Sequence, residues 1–156
     1  MILTHRLVRL VETHSDDLAS SLLNRVRQSP ALPSYGSVPP EELKQRVSEI
    51  YDHLGQWLLG KSEADIEQRY REVGARRFRQ QVPLSELIWA IILTKENLWD
   101  FLNRESFPGF EVEVLAEHEV FRMLDQFFNR AIHYAAIGYE QAALTESLAE
   151  KGAAQP

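Results

Sequence analysis

The chain of 156 residues contains no cysteine. This absence excludes a disulfide framework, thiolate zinc sites and a cysteine nucleophile, and it is compatible with the reducing cytoplasm, where we expect the protein to work. Long apolar runs are also lacking, since the longest uncharged one covers only residues 87–93 and about 20 residues are needed to cross a bilayer. Charges interrupt the first ten positions, so we expect neither a secretion signal nor a membrane-spanning segment.

Sequence motifs for catalysis and cofactor binding are missing too. The seven glycines match neither a dinucleotide fingerprint nor a phosphate loop. His118 and Glu119 begin like a zinc-protease helix, but Arg122 stands where the second histidine ligand has to be. We therefore predict a protein that is not an enzyme and carries no cofactor or metal, with a helical enzyme of unknown reaction as an alternative.

Acidic residues outnumber basic ones by 23 to 17, which gives a net charge of −6. The imbalance lies after residue 81, where twelve acidic and five basic side chains occur. Because nucleic-acid binding normally needs a clustered basic face, we expect no nucleic-acid partner. With 44% hydrophobic and 26% charged residues, the chain has the composition of one globular domain. We expect its core in residues 3–140 and a flexible tail at 151–156.

Helix-forming residues are abundant, and the seven prolines lie at the edges of apolar stretches with helical spacing. The pattern predicts an all-α, single-domain bundle of about five helices with a long C-terminal helix. The fourth helix, which Pro83 opens, is apolar over a wide arc and is expected at the centre of the core. Residues 30–39 should form an ordered loop and 107–110 a hinge. The predicted helices cover residues 2–28, with a possible break at 13–16, then about 40–60, 63–79, 84–102 and 111–150.

The last predicted helix carries an apolar stripe that is wider than one face. In one interpretation this helix packs only within its own bundle, and in the other it also pairs with the same helix of a second chain. The second interpretation predicts a homodimer. Gly138 and Ala135 would allow a close approach in both cases. The candidate dimer surface consists of Phe121, Leu124, Phe128, Ala131, Ala135 and Gly138.

Five arginines between residues 69 and 79 form the densest basic cluster, but they point in different directions on a helical wheel. They favour a solvated or salt-bridged helix, with a partner or anion contact as the alternative, and Arg76 is expected to be half-buried. Aromatic side chains at helical spacing are usually core, although they could line a small-molecule cavity. His133 is the candidate ligand of a tetrapyrrole. The candidate ligand or partner site comprises Tyr35, Arg76, Arg77, Trp89, Trp99 and His133.

Four segments resemble, in this order and approximate spacing, the N-terminal domain of RsbR-type RsbT co-antagonists. They are Leu32-Pro33-Ser34-Tyr35, Pro40-Glu41-Glu42-Leu43, the stretch from Gly74 to Leu84, and Leu98-Trp99-Asp100-Phe101-Leu102. The resemblance covers about residues 3–135. Domains of this kind precede STAS domains in stressosome regulators and kinase modules in some bacterial sensor histidine kinases.

The resemblance implies a regulatory signal-input domain that contacts a regulatory protein partner or a fused output domain. We expect this domain to act by dimerisation and helix rearrangement. It also implies an absence of catalysis, and a globin-like bundle without haem, which some relatives have. Two features depart from the pattern: Gln81 stands where a glycine is expected before Val82, and no output module follows Pro156. The second departure predicts an excised domain or a free-standing binding protein. A small-molecule or tetrapyrrole carrier is the alternative from a different functional class.

Overall fold

The computed structural model describes residues 2–60, 62–104 and 114–154, and these residues form α-helices and one short 3-10 helix, with no strand among them. The predicted all-α, single-domain fold with a long C-terminal helix is confirmed. The elements are α1 (Ile2–Thr13), α2 (Ser15–Gln28), η1 (Pro33–Ser37), α3 (Pro40–Leu58), α4 (Glu63–Arg79), α5 (Leu84–Arg104) and α6 (Val114–Ala154).

The helix boundaries follow the predicted ones closely, with three differences. The first predicted helix is divided at His14, inside the range where a break was possible, so six α-helices replace about five. The predicted loop at 30–39 contains η1. Helix α6 includes residues 151–154, which we expected in a flexible tail, because lysine and alanine favour helix and extending an existing helix needs no new nucleus. The predicted hinge at 107–110 lies outside the described residues.

The hydrophobic core lies between the helices, and α5 packs against α2, α4 and α6 as its predicted central position requires. A buried amide is part of this core. The side chain of Asn97 on α5 donates to the carbonyl oxygen of Leu18 at 3.1 Å and to the hydroxyl of Tyr51 at 3.3 Å, and it accepts from Ser21 at 2.8 Å. Because burial of an unpaired amide is costly, this set of hydrogen bonds fixes α2, α3 and α5 in one register.

Helix α6 is the longest element, with 41 residues. At 1.5 Å per residue it measures about 60 Å, whereas the other helices have 12 to 21 residues. Its first part is seated on the bundle, and residues 144–153 are exposed along their whole length. The rest of the described chain therefore leaves this last stretch of the helix uncovered. In the described part of the chain, no helix is long and apolar enough to span a membrane.

Candidate functional site

Three of the segments that carry the family resemblance meet in space, at Tyr35, Glu42 and Arg77. Ser34 in η1 donates two hydrogen bonds to the carboxylate of Glu86 on α5, from its backbone N–H at 2.8 Å and from its hydroxyl at 2.6 Å. Next to this contact, the guanidinium carbon of Arg77 on α4 lies 5.6 Å from the centroid of the Tyr35 ring. The contact links η1 to the turn between α4 and α5. We call it the motif junction and define it as Ser34, Tyr35, Glu42, Arg77, Gln80 and Glu86.

Arg77 is the buried charge at the centre of the motif junction, with 4% of its surface exposed. It donates to the carboxylate of Glu42 at 3.3 Å and to the amide oxygen of Gln80 at 2.6 Å, and the Gln80 amide donates to Glu42 at 2.8 Å. A buried charge is tolerated when it is paired and hydrogen-bonded in this way. Burial raises the pKa of Tyr35 to about 12, although the positive charge of Arg77 acts in the opposite direction. The junction therefore holds three helices and η1 together.

The C-terminus of α4 has the hydrogen bonds of a Schellman motif. The N–H of Gln81 donates to the carbonyl oxygen of Phe78 at 2.9 Å, and the N–H of Val82 donates to that of Arg77 at 3.0 Å. This motif places Gln81 in the left-handed region, with φ of 63°. Glycine is the usual residue at such a position because it has no Cβ atom. The structure thus gives a physical reason for the glycine that the resemblance leads us to expect there.

Helices α4 and α6 approach each other until their backbones touch. A Cβ atom added to Gly74 on α4 would lie 1.9 Å from the carbonyl oxygen of Ala135 on α6. In the reverse direction, a Cβ atom added to Gly138 on α6 would lie 2.1 Å from the carbonyl oxygen of Arg71 on α4. Neither glycine can be replaced without separating the helices. The close approach expected of Gly138 and Ala135 is therefore made within one chain.

The motif junction and α6 are also connected through Val82, whose N–H donates to the carbonyl oxygen of Arg77. The hydroxyl of Tyr139 on α6 donates to the carbonyl oxygen of Val82 at 2.7 Å, and its ring packs edge-on against Phe78 at a centroid distance of 5.4 Å. Val82 is fully buried in the Schellman motif described above. A displacement of α6 along α4 would break this hydrogen bond. The turn between α4 and α5 and the position of α6 are thus mechanically coupled.

The predicted dimer surface lies largely inside the chain. Its alternating apolar positions are covered by the chain's own helices, with α4 as the main neighbour of α6. The prediction that these residues form a surface between two chains is corrected for five of the six, because they are buried inside the chain itself, Ala135 and Gly138 directly against the backbone of α4. Leu124, Phe128, Ala131 and Ala135 have at most 1% of their surface exposed, Gly138 contacts Arg71, and Phe121 is half-buried against Trp99 at a ring distance of 4.7 Å.

The exposed end of α6 has its own apolar side chains. Leu144 and Leu148 are 61% and 60% exposed and lie one helical turn apart on the same face. No other large hydrophobic side chain of the described part of α6 is exposed to this degree. This pair, which we call the α6 leucine pair, is an apolar surface that the domain itself does not cover.

A family model described as the RsbT co-antagonist protein rsbRD N-terminal domain matches residues 16–150. The chain belongs to this family. No curated protein and no solved structure matches the chain. The matched range of this rsbRD N-terminal domain includes the motif junction, the contact between α4 and α6, and the α6 leucine pair. Family membership suggests a stressosome-related regulatory input domain.

The remaining predicted site residues of the rsbRD N-terminal domain are not brought together. Arg76 is half-buried as expected, next to the motif junction, and burial together with neighbouring arginines lowers its pKa. Trp89 is exposed on α5, while Trp99 packs on Phe121. His133 is exposed and does not point into the core, so the tetrapyrrole alternative loses its candidate ligand. Among the described residues, no group of three or more histidines, aspartates or glutamates could hold a metal ion.

Sequence reasoning missed the packing role of Gly74 and a mainly apolar pocket between α2, α3, α4 and α5. An isolated glycine inside a helical pattern signals a packing constraint, so Gly74 could have been identified. The pocket residues Arg46, His53 and Tyr70 lie on two helices with no motif spacing between them, and no sequence signal connects them. Asn97 could have been noticed as an amide on the apolar face of α5.

Proposed function

We propose that this domain receives a regulatory signal in the helices around the motif junction and transmits it through α6 to a protein partner. The family match supports a regulatory input role. The observation that carries the proposal is the hydrogen bond from Tyr139 to Val82, because it joins the turn next to the junction to a helix whose last stretch is exposed. A helix seated at one end and exposed at the other can carry a displacement from the first end to the second.

The partner that we propose for the exposed end is a second copy of the chain, related by a two-fold axis. Two copies arranged in this way would bring their α6 leucine pairs together, since a two-fold axis places identical surfaces opposite each other. Thr145 and Ser147, which flank the pair, are uncharged and would not repel their counterparts. Burial of Leu144 and Leu148 would remove exposed apolar surface from water. A homodimer thus uses α6, but at a later stretch than the sequence alone predicts.

The mechanism we propose is a change between two packed arrangements of α6 on α4. Closely packed interfaces switch between discrete arrangements and do not deform continuously. The Gly74 and Gly138 contacts leave no space for gradual sliding, so a shift would have to move α6 to a new register. A signal can drive that shift only as far as its affinity differs between the two arrangements.

The proposal is tested by measuring the molar mass of the 156-residue chain in solution by analytical ultracentrifugation. The test variant is Leu144→Gln with Leu148→Gln, and its matched control is Glu146→Gln with Glu150→Gln on the opposite side of α6. We expect the wild-type chain and the control to dimerise and the leucine variant to be monomeric with unchanged helix content and melting temperature. A monomeric wild-type chain at millimolar concentration, or a leucine variant as dimeric as the control, contradicts the proposed dimer.

In this proposal, a regulatory protein partner or a fused output domain contacts the same end of α6. No catalytic residue is assigned, in keeping with a family of regulatory domains. The cytoplasmic location, the likeness to sensor-kinase input domains and the globin-like arrangement stay predictions.

A further inference from the structure

A pocket of about 70 Å³ lies between α2, α3, α4 and α5. Its inner wall is aliphatic, and α4 adds the fully buried ring of Tyr70. The aliphatic side chains come from α2, α3 and α5, and at most 7% of the surface of each is exposed: Leu22, Val26, Leu43, Val47, Leu87 and Ile91. Six buried aliphatic side chains from three helices therefore face one space.

The polar residues that border the pocket offer little to a polar ligand. Arg46 and Glu49 form an ion pair with each other at 2.8 Å, and the hydroxyl of Thr94 donates at 2.8 Å to a backbone carbonyl of its own helix. The hydroxyl of Tyr70 and Nδ1 of His53 have essentially no accessible surface, so a molecule in the pocket does not reach them. A buried water molecule needs about two to four polar partners. The pocket therefore disfavours water and favours a nonpolar occupant.

The volume of the pocket limits the size of that occupant. A cavity of roughly 150 Å³ with aliphatic and aromatic walls stays dry and binds benzene or xenon. Since benzene has six non-hydrogen atoms, a pocket of about 70 Å³ has room for about three. Xenon, dioxygen, ethylene and cyclopropane meet this limit, whereas a tetrapyrrole is far larger.

The pocket opens towards solvent between α3 and α4. The lining residues that are partly exposed lie mainly there, and they include Ile50 on α3 and Val73 on α4. Tyr35 and Arg77 of the motif junction, each 4% exposed, form a buried part of the wall. A molecule in the pocket therefore packs against the motif junction from inside the bundle.

We propose that this pocket binds a small nonpolar molecule of up to about three non-hydrogen atoms, such as a light hydrocarbon or dioxygen. Binding removes apolar surface of the ligand from water and gives the aliphatic walls dispersion contacts that an empty pocket lacks. Because the ligand binds only the folded chain, it also stabilises the packing of the helices around it. Its role as the signal received at the motif junction rests on the proposed function, whereas binding itself does not.

The test is a titration of the isotope-labelled 156-residue chain with pressurised xenon and with cyclopropane, followed by the methyl signals in NMR spectra. Ethanol, which is similar in size to cyclopropane but carries a hydroxyl, is the polar comparison. Because the affinity per atom of small ligands is limited, the tightest dissociation constant expected for cyclopropane is about 1 mM. We expect saturable shifts of the Val47, Leu87 and Ile91 methyl signals with xenon and cyclopropane only. No saturable shift with either overturns the site, and equal binding of ethanol overturns its preference for nonpolar molecules.

Variants that change the volume of the pocket locate the site. Ala90→Leu adds an isopropyl group at the pocket wall and should abolish binding of xenon and cyclopropane. Ala64→Leu, at an exposed position of α4, is the matched control and should bind both as the wild type does. Val47→Ala enlarges the pocket, so this variant should bind benzene, which the wild type excludes. Undiminished xenon binding by Ala90→Leu, or no benzene binding by Val47→Ala, contradicts the location of the site.

Analytical ultracentrifugation with and without cyclopropane separates binding from signalling. The input role predicts a change in the dimer dissociation constant when the pocket is filled. Saturable methyl shifts without such a change support the binding site and contradict its role as an input. A chain that is monomeric with and without cyclopropane contradicts the proposed dimer, and the methyl shifts then still decide whether the pocket binds.

Discussion

The hydroxyl of Tyr139 donates a hydrogen bond of 2.7 Å to the carbonyl oxygen of Val82, and so ties α6 to the turn that follows α4. Replacement of Tyr139 by phenylalanine removes the donor and leaves a buried carbonyl group without it. A neutral hydrogen bond contributes about 1 kcal/mol net. We expect Tyr139→Phe to lower the free energy of unfolding by about that amount in urea denaturation. An unchanged midpoint would show that the bond does not hold α6 in place.

The contact between α4 and α6 predicts a strong effect of a single methyl group. Gly74→Ala would place a Cβ atom 1.9 Å from the Ala135 carbonyl oxygen, so the two helices would have to separate. Forced overpacking costs about 1–3 kcal/mol, and we expect the upper end because the obstacle is backbone. Gly152→Ala is the control, since nothing lies within 4 Å of that position. Thermal unfolding of both variants checks the prediction, and an equal effect of the two would contradict the close packing.

The left-handed residue at the end of α4 predicts a stabilising substitution. Gln81 has φ of 63°, a conformation that costs an ordinary side chain about 1 kcal/mol relative to glycine. Gln81→Gly should therefore raise the free energy of unfolding by up to about 1 kcal/mol. The reverse change is the matched control: Gly60 has φ of 98° after α3, so Gly60→Gln should destabilise the chain. Destabilisation by Gln81→Gly would contradict this interpretation of the turn.

His53 predicts a dependence of stability on pH. Burial, then the charge of Arg69, lower its pKa below 6.5, while Glu49 and Asp52 act in the opposite direction. The unfolded chain then binds a proton at His53 more readily than the folded chain does. The stability associated with a neutral His53 is therefore fully present above pH 6.5, and it is lost as the pH falls through the pKa of the folded chain. Between pH 7 and about pH 5, the wild type should lose more stability than His53→Gln. Parallel pH profiles of the two proteins would rule out this contribution.

The helix boundaries could be predicted because they depend on local sequence. Helix α4 begins after Ser62, a residue type common at helix starts, and ends before Pro83, which does not continue a helix. Local sequence does not show which helix packs on an apolar stripe. Ala135 and Phe128 would have the same sequence signature whether α4 or a second chain packed on them, so the stripe could not identify its own neighbour.

Some contacts of the candidate site could be predicted from the sequence, and others could not. Tyr35 and Arg77 both belong to the predicted ligand or partner site and both lie in segments of the family resemblance, and the structure places them in contact. Arg46, His53 and Tyr70 share a pocket only because α3 packs beside α4, which no spacing along the chain encodes. Tertiary packing therefore determines this pocket, whereas the sequence identifies Tyr35 and Arg77 of the junction.

The most direct test of the account measures the distance between the two α6 ends. Because the chain has no cysteine, Glu146→Cys gives a single attachment point for a spin label, and Asn24→Cys on α2 gives a reference position. Because residue 146 lies on the side of α6 opposite the leucine pair, the account predicts one narrow intermolecular distance there that exceeds the roughly 10 Å between paired helix axes by the width of both helices. It predicts a different, longer distance at residue 24. An absence of any intermolecular dipolar signal at residue 146, at concentrations where the chain is fully labelled and folded, would contradict the central claim that α6 joins two copies.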